Sequence, residues 1–475
     1  MNDEVLSQAG EVICDELILT AQDGTEYDIK DMLIEFNLYE DIFSPFLHGS
    51  INLTDAVNAI SMWPIAGGEV LTVKFRTKTF ADDPGNLIEK SFQIVGIENR
   101  MFNNDREQFY ALSFCSIEAV NDQSNSISQS FGTKESEART TAEIAEQIWN
   151  DWINFPRRID DGDSQSSFII GDTPHTSKIQ FVSNFWTPMQ IMHFISKRCQ
   201  GATHTGSDYL FFESNKGFFL TSIQNLIASQ LDALWEEFVY VPEPIMGEQM
   251  IRAGGETFVG ASLHPSFNKI SEITVPRTIN ILDGQDTGYY SASTRAYDMF
   301  TKEQAEVILD GRDSFDQFVH TDPGIPIPGG IQRNPFSYIN IKYLNQYMYP
   351  GMHGGLEDGV HGEGANPAIL ANDLFRQVYF NSFNDYKFTA TMPGRTDIEV
   401  GKLIKLVYPA AGPKTEDSEP EDYIDQVLTG KYLITAIHHT ISSIAKHTMK
   451  LEIVKNGLAM HQGPEDDEVI SSEIS

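Results

Sequence analysis

Gly68-Glu-Val-Leu-Thr-Val-Lys-Phe75, Phe92-Gln-Ile-Val-Gly-Ile97 and Gln108-Phe-Tyr-Ala-Leu-Ser-Phe114 form one set of three short alternating stretches. Gly401-Lys-Leu-Ile-Lys-Leu-Val-Tyr408, Tyr432-Leu-Ile-Thr-Ala-Ile437 and Thr448-Met-Lys-Leu-Glu-Ile-Val454 form a second. Leu71 to Ile94 spans 23 residues and Ile404 to Ile434 spans 30, while Ile94 to Leu112 spans 18 and Ile434 to Leu451 spans 17. The excess of seven fits within one acidic loop, Pro409–Asp425. Period-two alternation bounded by glycine and turn residues marks half-buried antiparallel strands. A repeat separated by so much chain predicts two similar small barrels in one subunit, able to occupy equivalent places around a ring.

At 475 residues, 41% of them hydrophobic and 11% aromatic, the chain can bury a large interior; that length predicts roughly three or four domains. Mean hydropathy is −0.27, and no apolar run approaches the length of a membrane span. The start, Met1-Asn-Asp-Glu-Val-Leu, has neither the basic nor the apolar segment of a secretory signal, so none is expected. Cys14, Cys115 and Cys199 are far apart and form no C-x-x-C pair, which argues against a disulfide framework, a zinc ribbon or an iron–sulfur site. Each is expected to be a small buried apolar residue in a protein made in a reducing cytoplasm.

The 33 basic and 68 acidic residues leave a net charge of −35. Nucleic-acid binders replace phosphate counterions with Lys and Arg, and no basic stripe offers that here, so tight binding to nucleic acid or to anionic membrane is not expected. Excess carboxylates keep a large protein soluble; they also make a surface repulsive to passing DNA. Charge alone does not separate these readings.

Residues 11–120 read as all-β. Ile34, Phe36 and Leu38 alternate with polar neighbours, and Ser50-Ile-Asn-Leu-Thr repeats the pattern after turns at Ser44-Pro45 and His48-Gly49. Asn121–Ala138, rich in Ser, Asn and Gln, reads as a linker. Thr140-Thr-Ala-Glu143 is a capping box opening a helix with Ile144, Ile148 and Trp152 at four-residue spacing, ended by Pro156. Thr187-Pro-Met-Gln190 repeats the device, with Lys197 and Arg198 at the far end before Gly201. A hairpin, Tyr209–Glu213 and Phe218–Ile223, turns at Ser214-Asn-Lys-Gly217, so 139–228 reads as a small α+β domain. Residues 229–370 read as an insert or extra domain of uncertain fold, with strands around Ile270–Ile281 and a helix from Thr301-Lys-Glu-Gln304 through Leu309. Pro323–Gly330 and Gly351–Gly364 read as loops. Residues 371–460 return to the β-module, with a helix at Asn372–Val378, and 461–475 read as an acidic disordered tail.

A barrel followed by Trp186-Thr-Pro-Met-Gln-Ile-Met-His-Phe-Ile-Ser-Lys-Arg198, then Asp208-Tyr-Leu-Phe-Phe-Glu-Ser-Asn-Lys-Gly-Phe-Phe219, then Gly430-Lys-Tyr-Leu-Ile-Thr-Ala-Ile-His438 with Lys446-His-Thr-Met-Lys-Leu-Glu-Ile-Val-Lys-Asn-Gly457 resembles the baseplate hub proteins of contractile-tailed (myovirus-type) bacteriophages. The plan is similar to the hub part of type VI secretion spike proteins. The resemblance covers 11–228 and 371–460. It implies a β-rich α+β multidomain fold with two tail-tube-like antiparallel β-barrels, a small α+β domain and an irregular insert. It also implies a homotrimer whose six barrels imitate sixfold symmetry in the virion's tail baseplate, a tail tube docking on one face and a central spike on the other, with wedge proteins as further partners. Such a ring forms part of a DNA conduit, without tight nucleic-acid binding or membrane insertion. Residues 229–370 and the long acidic loop 409–425 depart from the pattern. No spike repeats follow the second module, so the expectation is a separately encoded spike.

No catalytic, cofactor-binding or metal residue is assigned. Among 68 carboxylates, pairs spaced like a glycosidase acid and base arise by chance. His353, Glu357, Asp358 and His361 match no zinc-helix or finger spacing and sit among glycines. His438 and His439 are neighbours on a strand and point to opposite faces, one exposed and one packed. No phosphate-binding loop, dinucleotide turn or nucleophile elbow is present, and Cys115 and Cys199 lack a nucleophile's setting. Phe211, Phe212, Phe218 and Phe219 are expected in a core rather than stacked on sugars or bases. The alternative readings are a tail-associated cell-wall hydrolase and a hub component of a type VI-like secretion or contractile injection system.

Overall fold

Alternating side chains decide the first seven strands: Val12–Thr20 (β1), Glu26–Asp28 (β2), Leu33–Asp41 (β3), His48–Asp55 (β4), Val70–Thr77 (β5), Leu87–Asn104 (β6) and Glu107–Ser116 (β7). In β5 the buried positions are Leu71, Val73, Phe75 and Thr77, every second residue, as a strand with one wet face requires. The computed structural model describes residues 9–459 apart from 64, 79–86, 105, 133–138, 155–165, 173–177, 202, 205–206, 232, 234–235, 241–264, 276–278, 299–301, 303, 328, 331–332, 335–337, 345–366 and 411–423. Hydrogen-bonded neighbours run β3-β4-β7-β6-β5-β1-β2. All of these strands except β2 send buried side chains into one core, which includes Phe36, Ile51, Leu71, Phe92 and Phe114, so the sheet is curled around it.

The α+β unit begins earlier than its composition suggests. The expected linker 121–138 is structured in its described part: Ile117–Ser124 is a helix, and Phe131 is buried in a two-residue strand, Ser130–Phe131 (β8). Its polar residues serve as internal caps, Asn121 Nδ2 donating to the Ile153 carbonyl at 2.9 Å and Asn125 Nδ2 to that of Asn121 at 2.8 Å. Both predicted capping boxes form, Thr140 with Glu143 and Thr187 with Gln190. The first helix, Thr141–Ile148, passes into a π turn at Trp149–Ile153. That extra residue per turn places Trp149 and Ile153 in the core, while Trp152 is only partly buried. After Arg139–Thr140 (β9), Phe168–Ile170 (β10), Lys178–Ile179 (β11) and Phe181–Val182 (β12) comes the second capped helix, Pro188–Ser196. The hairpin Tyr209–Ser214 (β13) and Gly217–Ser222 (β14) forms as read, with β10 beside β14.

The expected insert is partly integral to the main sheet. Glu237–Tyr240 (β15), Lys269–Ile270 (β16) and Glu272–Thr274 (β17) join it, and Ile281–Asp286 is a helix. Ser291–Asp298 (β18), Gln304–Asp310 (β19) and Ile339–Leu344 (β20) make a separate three-stranded sheet. The helix expected from Thr301 to Leu309 is therefore a strand in its described part; Val307 and Ile308 pair across to Thr294 and Ser293, and β-branched residues pack well on a pleated surface. A helix at Pro367–Ser382 leads into Tyr386–Pro393 (β21), Leu403–Val407 (β22), Gly430–Ser442 (β23) and His447–Lys455 (β24).

The duplication holds at the level of register. Leu71 pairs with Phe92 and Ile404 with Tyr432; Ile94 with Phe114 and Ile434 with Ile453; Leu112 with Ile97 and Leu451 with Ile437. Each central strand has a bulge at the same place, between Ile94 and Gly96 and between Ile434 and Ala436. Each module is entered through a glycine of positive φ, Gly68 at 99° and Gly401 at 82°, whose N–H donates to the Ile94 or Ile434 carbonyl at 2.9 Å. The match continues outward: Ile51 pairs with Leu112 as Ala390 does with Leu451, and Phe36 with Ile51 as Ile273 does with Ala390. Strands β3 to β7 thus correspond to β17, β21, β22, β23 and β24.

The two modules are not separate closed barrels. They are curled halves of one fourteen-stranded sheet, joined where β23 pairs with β3. Strand β23 is long enough to hold β22 along Gly430–Leu433 and β3 along Ala436–Ser442, while β24 occupies the opposite edge. The second half curls further, so that β16 and β17, at the two ends of its row, are separated only by Ser271.

Gly49 lies inside β4 rather than in a turn. A Cβ there would come within 2.1 Å of the Asn37 carbonyl and 2.5 Å of the Phe114 ring. Gly49→Ala is expected to destabilise the first module by about 1–3 kcal/mol through overpacking, read as a lower urea midpoint. An unchanged midpoint would show that β3 and Phe114 yield freely.

Candidate interaction sites

The residues weighed as chemical candidates are structural where they are described. Cys199 is buried, and Cys14 and Cys115 are half-buried rather than core residues. Burial pushes the Cys199 thiol up to about 12 and the other two to about 11, so none is poised as a thiolate nucleophile. Phe211, Phe212 and Phe218 are buried and Phe219 packs at the edge of the core. His353, Glu357, Asp358 and His361 lie outside the described residues, as do most of the acidic loop and the tail 461–475. Among the described residues no group of three His, Cys, Asp or Glu side chains is arranged to hold a metal ion, and no helix is long and apolar enough to cross a membrane.

What the polar side chains build instead are three junctions. At the seam between the halves, His438 is partly buried, stacks on Tyr39 at 4.3 Å and places Nε2 2.8 Å from Asn37 Oδ1. His439 points to the opposite face and is fully buried; its Nδ1 lies 3.0 Å from His447 Nε2 and its Nε2 3.4 Å from Glu40 Oε1. Burial holds His447 well below the ordinary histidine range, so its ring is neutral. The three groups resemble a relay, yet all are closed to solvent and no substrate can reach them.

The α+β unit docks on the first module through Glu213 of β13. Its carboxylate accepts from the Leu47 N–H at 2.9 Å, from Lys90 Nζ at 2.7 Å and from the Ser116 hydroxyl. Burial raises the Glu213 pKa, and Lys90 opposes that rise. On the other side, Arg376 donates to the carbonyls of Ser207 at 2.6 Å and Tyr209 at 2.9 Å. A third clamp is Arg395, which reaches Glu236 at 2.8 Å, Asn268 at 2.6 Å and Asp397 at 2.9 Å. It ties the ends of β15 and β16 to the segment between β21 and β22.

A cleft of about 780 Å³ opens where these units meet, walled by Phe43, Phe46, Met189 and Phe380. Its two charged groups are engaged in holding elements together: Asp122 accepts from the Met189 N–H at 2.7 Å, and Arg376 lies over Phe380 while bonded as above. The arrangement has apolar walls, with Gln123 and His193 also on its lining.

No protein-family model matches this sequence, and no curated protein matches it. Among solved structures the chain is similar to the tail protein from Neisseria meningitidis MC58, with a TM-score of 0.52 at 8% identity over 93% of this chain and 97% of that one. It is also similar to the 43 kDa tail protein of prophage MuSo2 from Shewanella oneidensis, with a TM-score of 0.50 at 9% identity over 94% of this chain and all of that one. At such identity the likeness is one of fold: the chain has the β-rich α+β architecture of these tail proteins along nearly its whole length.

Two measurements check the junctions. Lys90→Met leaves Glu213 buried without its cation and is expected to cost about 3–5 kcal/mol, whereas Lys90→Met with Glu213→Gln recovers a large part of that loss; equal losses in a denaturant series would contradict it. His320, stacked on Phe315, is held down to about 4 by burial. The unfolded chain therefore binds its proton first, and the stability that the neutral ring contributes is lost as pH falls from about 6.5 towards 4. His320→Gln is expected to lose less stability than the parent between pH 7 and 4.5; parallel pH profiles would refute this.

Proposed function

We propose that this chain is a structural, non-enzymatic hub of a contractile phage-type tail baseplate, working as a homotrimeric ring. The observation that carries the reading is the duplicated β-module in one register, because two equivalent modules per chain become six when three chains close a ring. Such a ring presents sixfold-like positions to a hexameric tail tube on one face and threefold positions to a central spike on the other. Wedge proteins would contact its outside, and the protein would reside in the virion tail after synthesis in the host cytoplasm.

In this reading, 11–120 is the first tube-like unit, 371–460 together with β15, β16 and β17 the second, 139–228 the α+β unit that braces them, the rest of 229–370 an insert and 461–475 a tail. The fold shared with tail proteins supports it, as do polar junctions that hold units together instead of converging on a substrate. A trimer carries three times −35, or −105. With a Debye length of about 8 Å, only carboxylates near the lumen act on DNA passing through it.

Light scattering on the purified protein is expected to give three times 53.3 kDa, about 160 kDa, with an annular particle in electron micrographs. The protein is expected neither to retain double-stranded DNA at physiological salt nor to clear a cell-wall zymogram. A hexamer or a monomer at high concentration would overturn the trimer, tight DNA retention the conduit, and a cleared zone the non-enzymatic reading.

A further inference from the structure

The correspondence between the halves exposes one difference. In the second half, the edge of β23 beyond its bulge is covered by β3. In the first half, β6 is paired with β5 only as far as Gln93, and no described strand lies along the same edge from Val95 to Phe102. Burial follows: Thr435 is 2% exposed and Ile437 1%, whereas their counterparts Val95 and Ile97 are 52% and 37% exposed. Met101 and Phe102 continue the apolar edge at 58% and 76%. A long, apolar, unpaired edge is a template for another strand.

The strand that would cover it is also identifiable. β3 covers β23, and β3 corresponds to β17, which pairs with β21 on one side and with no described strand on the other. We infer that the free edge of β6 at Met101 and Phe102 is paired antiparallel by the free edge of β17 from a second copy of this chain, repeating between subunits part of the seam that β3 and β23 form within one. The occupant follows from the intrachain seam, which shows that this module edge accepts this strand type.

The register is fixed as well. Thr440 pairs with Asn37 and Ile441 with Phe36. One extra residue in β6, between Glu98 and Met101 where Asn99 has φ of 52°, aligns Met101 with Thr440 and Phe102 with Ile441. Across the subunit interface, Met101 therefore faces Thr274 and Phe102 faces Ile273. Donor and acceptor edges differ, so the contact is head-to-tail and generates a ring when its rotation closes. Closure at three copies rests on the function proposed above; the edge pairing itself does not.

The test joins Met101→Cys with Thr274→Cys in the full chain, since paired strand residues lie about 4.5–5.5 Å apart at Cα, within disulfide reach. Oxidation is expected to link chains to one another in the double variant and in neither single variant. A double variant that links no better than the singles, or that closes a bond only within one chain, would overturn the pairing. In parallel, Met101→Lys with Phe102→Glu, both at exposed positions, is expected to convert the oligomer to the 53.3 kDa monomer with unchanged circular dichroism. If parent and variant are both trimers, the edge inference fails and the trimeric hub stands. If the parent assembles through this edge into a ring of another number, the edge stands and the trimer fails. A monomeric parent that forms no interchain disulfide overturns both.

Discussion

The structure depends on β23 holding two partners on one edge. Thirteen residues long, it has room for β22 and then β3, and the bulge after Ile434 re-aims the strand between the two contacts. Without that length the halves would be two modules tethered by the α+β unit. With it they become one sheet whose relative orientation is set by backbone hydrogen bonds, which tolerate less drift than side-chain packing. The remaining junctions reinforce this orientation from different directions. Glu213 fixes the α+β unit to the first half, Arg376 fixes it to the helix before β21, and Thr77 pairs with Thr396 across the halves, hydroxyl to hydroxyl at 3.0 Å.

Much of this was legible from residue pattern. Leu71, Ile94 and Leu112 predicted their partners in the second half because strand alternation and spacing survive duplication, and the bulges and entry glycines fall in equivalent places. The capping boxes at Thr140 and Thr187 were legible because a cap is a local bond between residues three apart. What the sequence hid is non-local. That β23 pairs with β3 depends on contacts about four hundred positions apart, which no window of sequence contains. The supposed linker at 121–138 was misread because Asn and Asp look alike whether they face water or bond to buried backbone. Gln304–Asp310 begins with helix-like residues, and its pairing with β18 overrides that local preference.

No constellation of catalytic type was read from the sequence. In the described residues, the groups that look chemical in isolation are spent on architecture. Glu40, His439 and His447 lie in line but sealed, and Glu213 and Arg395 are saturated by donors or acceptors from other elements. The sequence signal for such clamps is faint: a charged residue within an otherwise apolar stretch, as Glu213 is between Phe212 and Phe218. That signal marks burial without saying whether the buried group reacts or holds.

The β3–β23 seam also sets a schedule for synthesis. β3 ends at Asp41 and its partner begins at Gly430, so the edge of β3 leaves the ribosome 389 residues before the strand that covers it. At elongation rates of about 5–20 residues per second, the gap is on the order of 20–80 s. Throughout that interval the nascent first module carries an open edge bearing Phe36 and Leu38. Neighbouring nascent chains on one message would expose the same edge to one another, so the order in which strands are made is itself a hazard that this topology must survive.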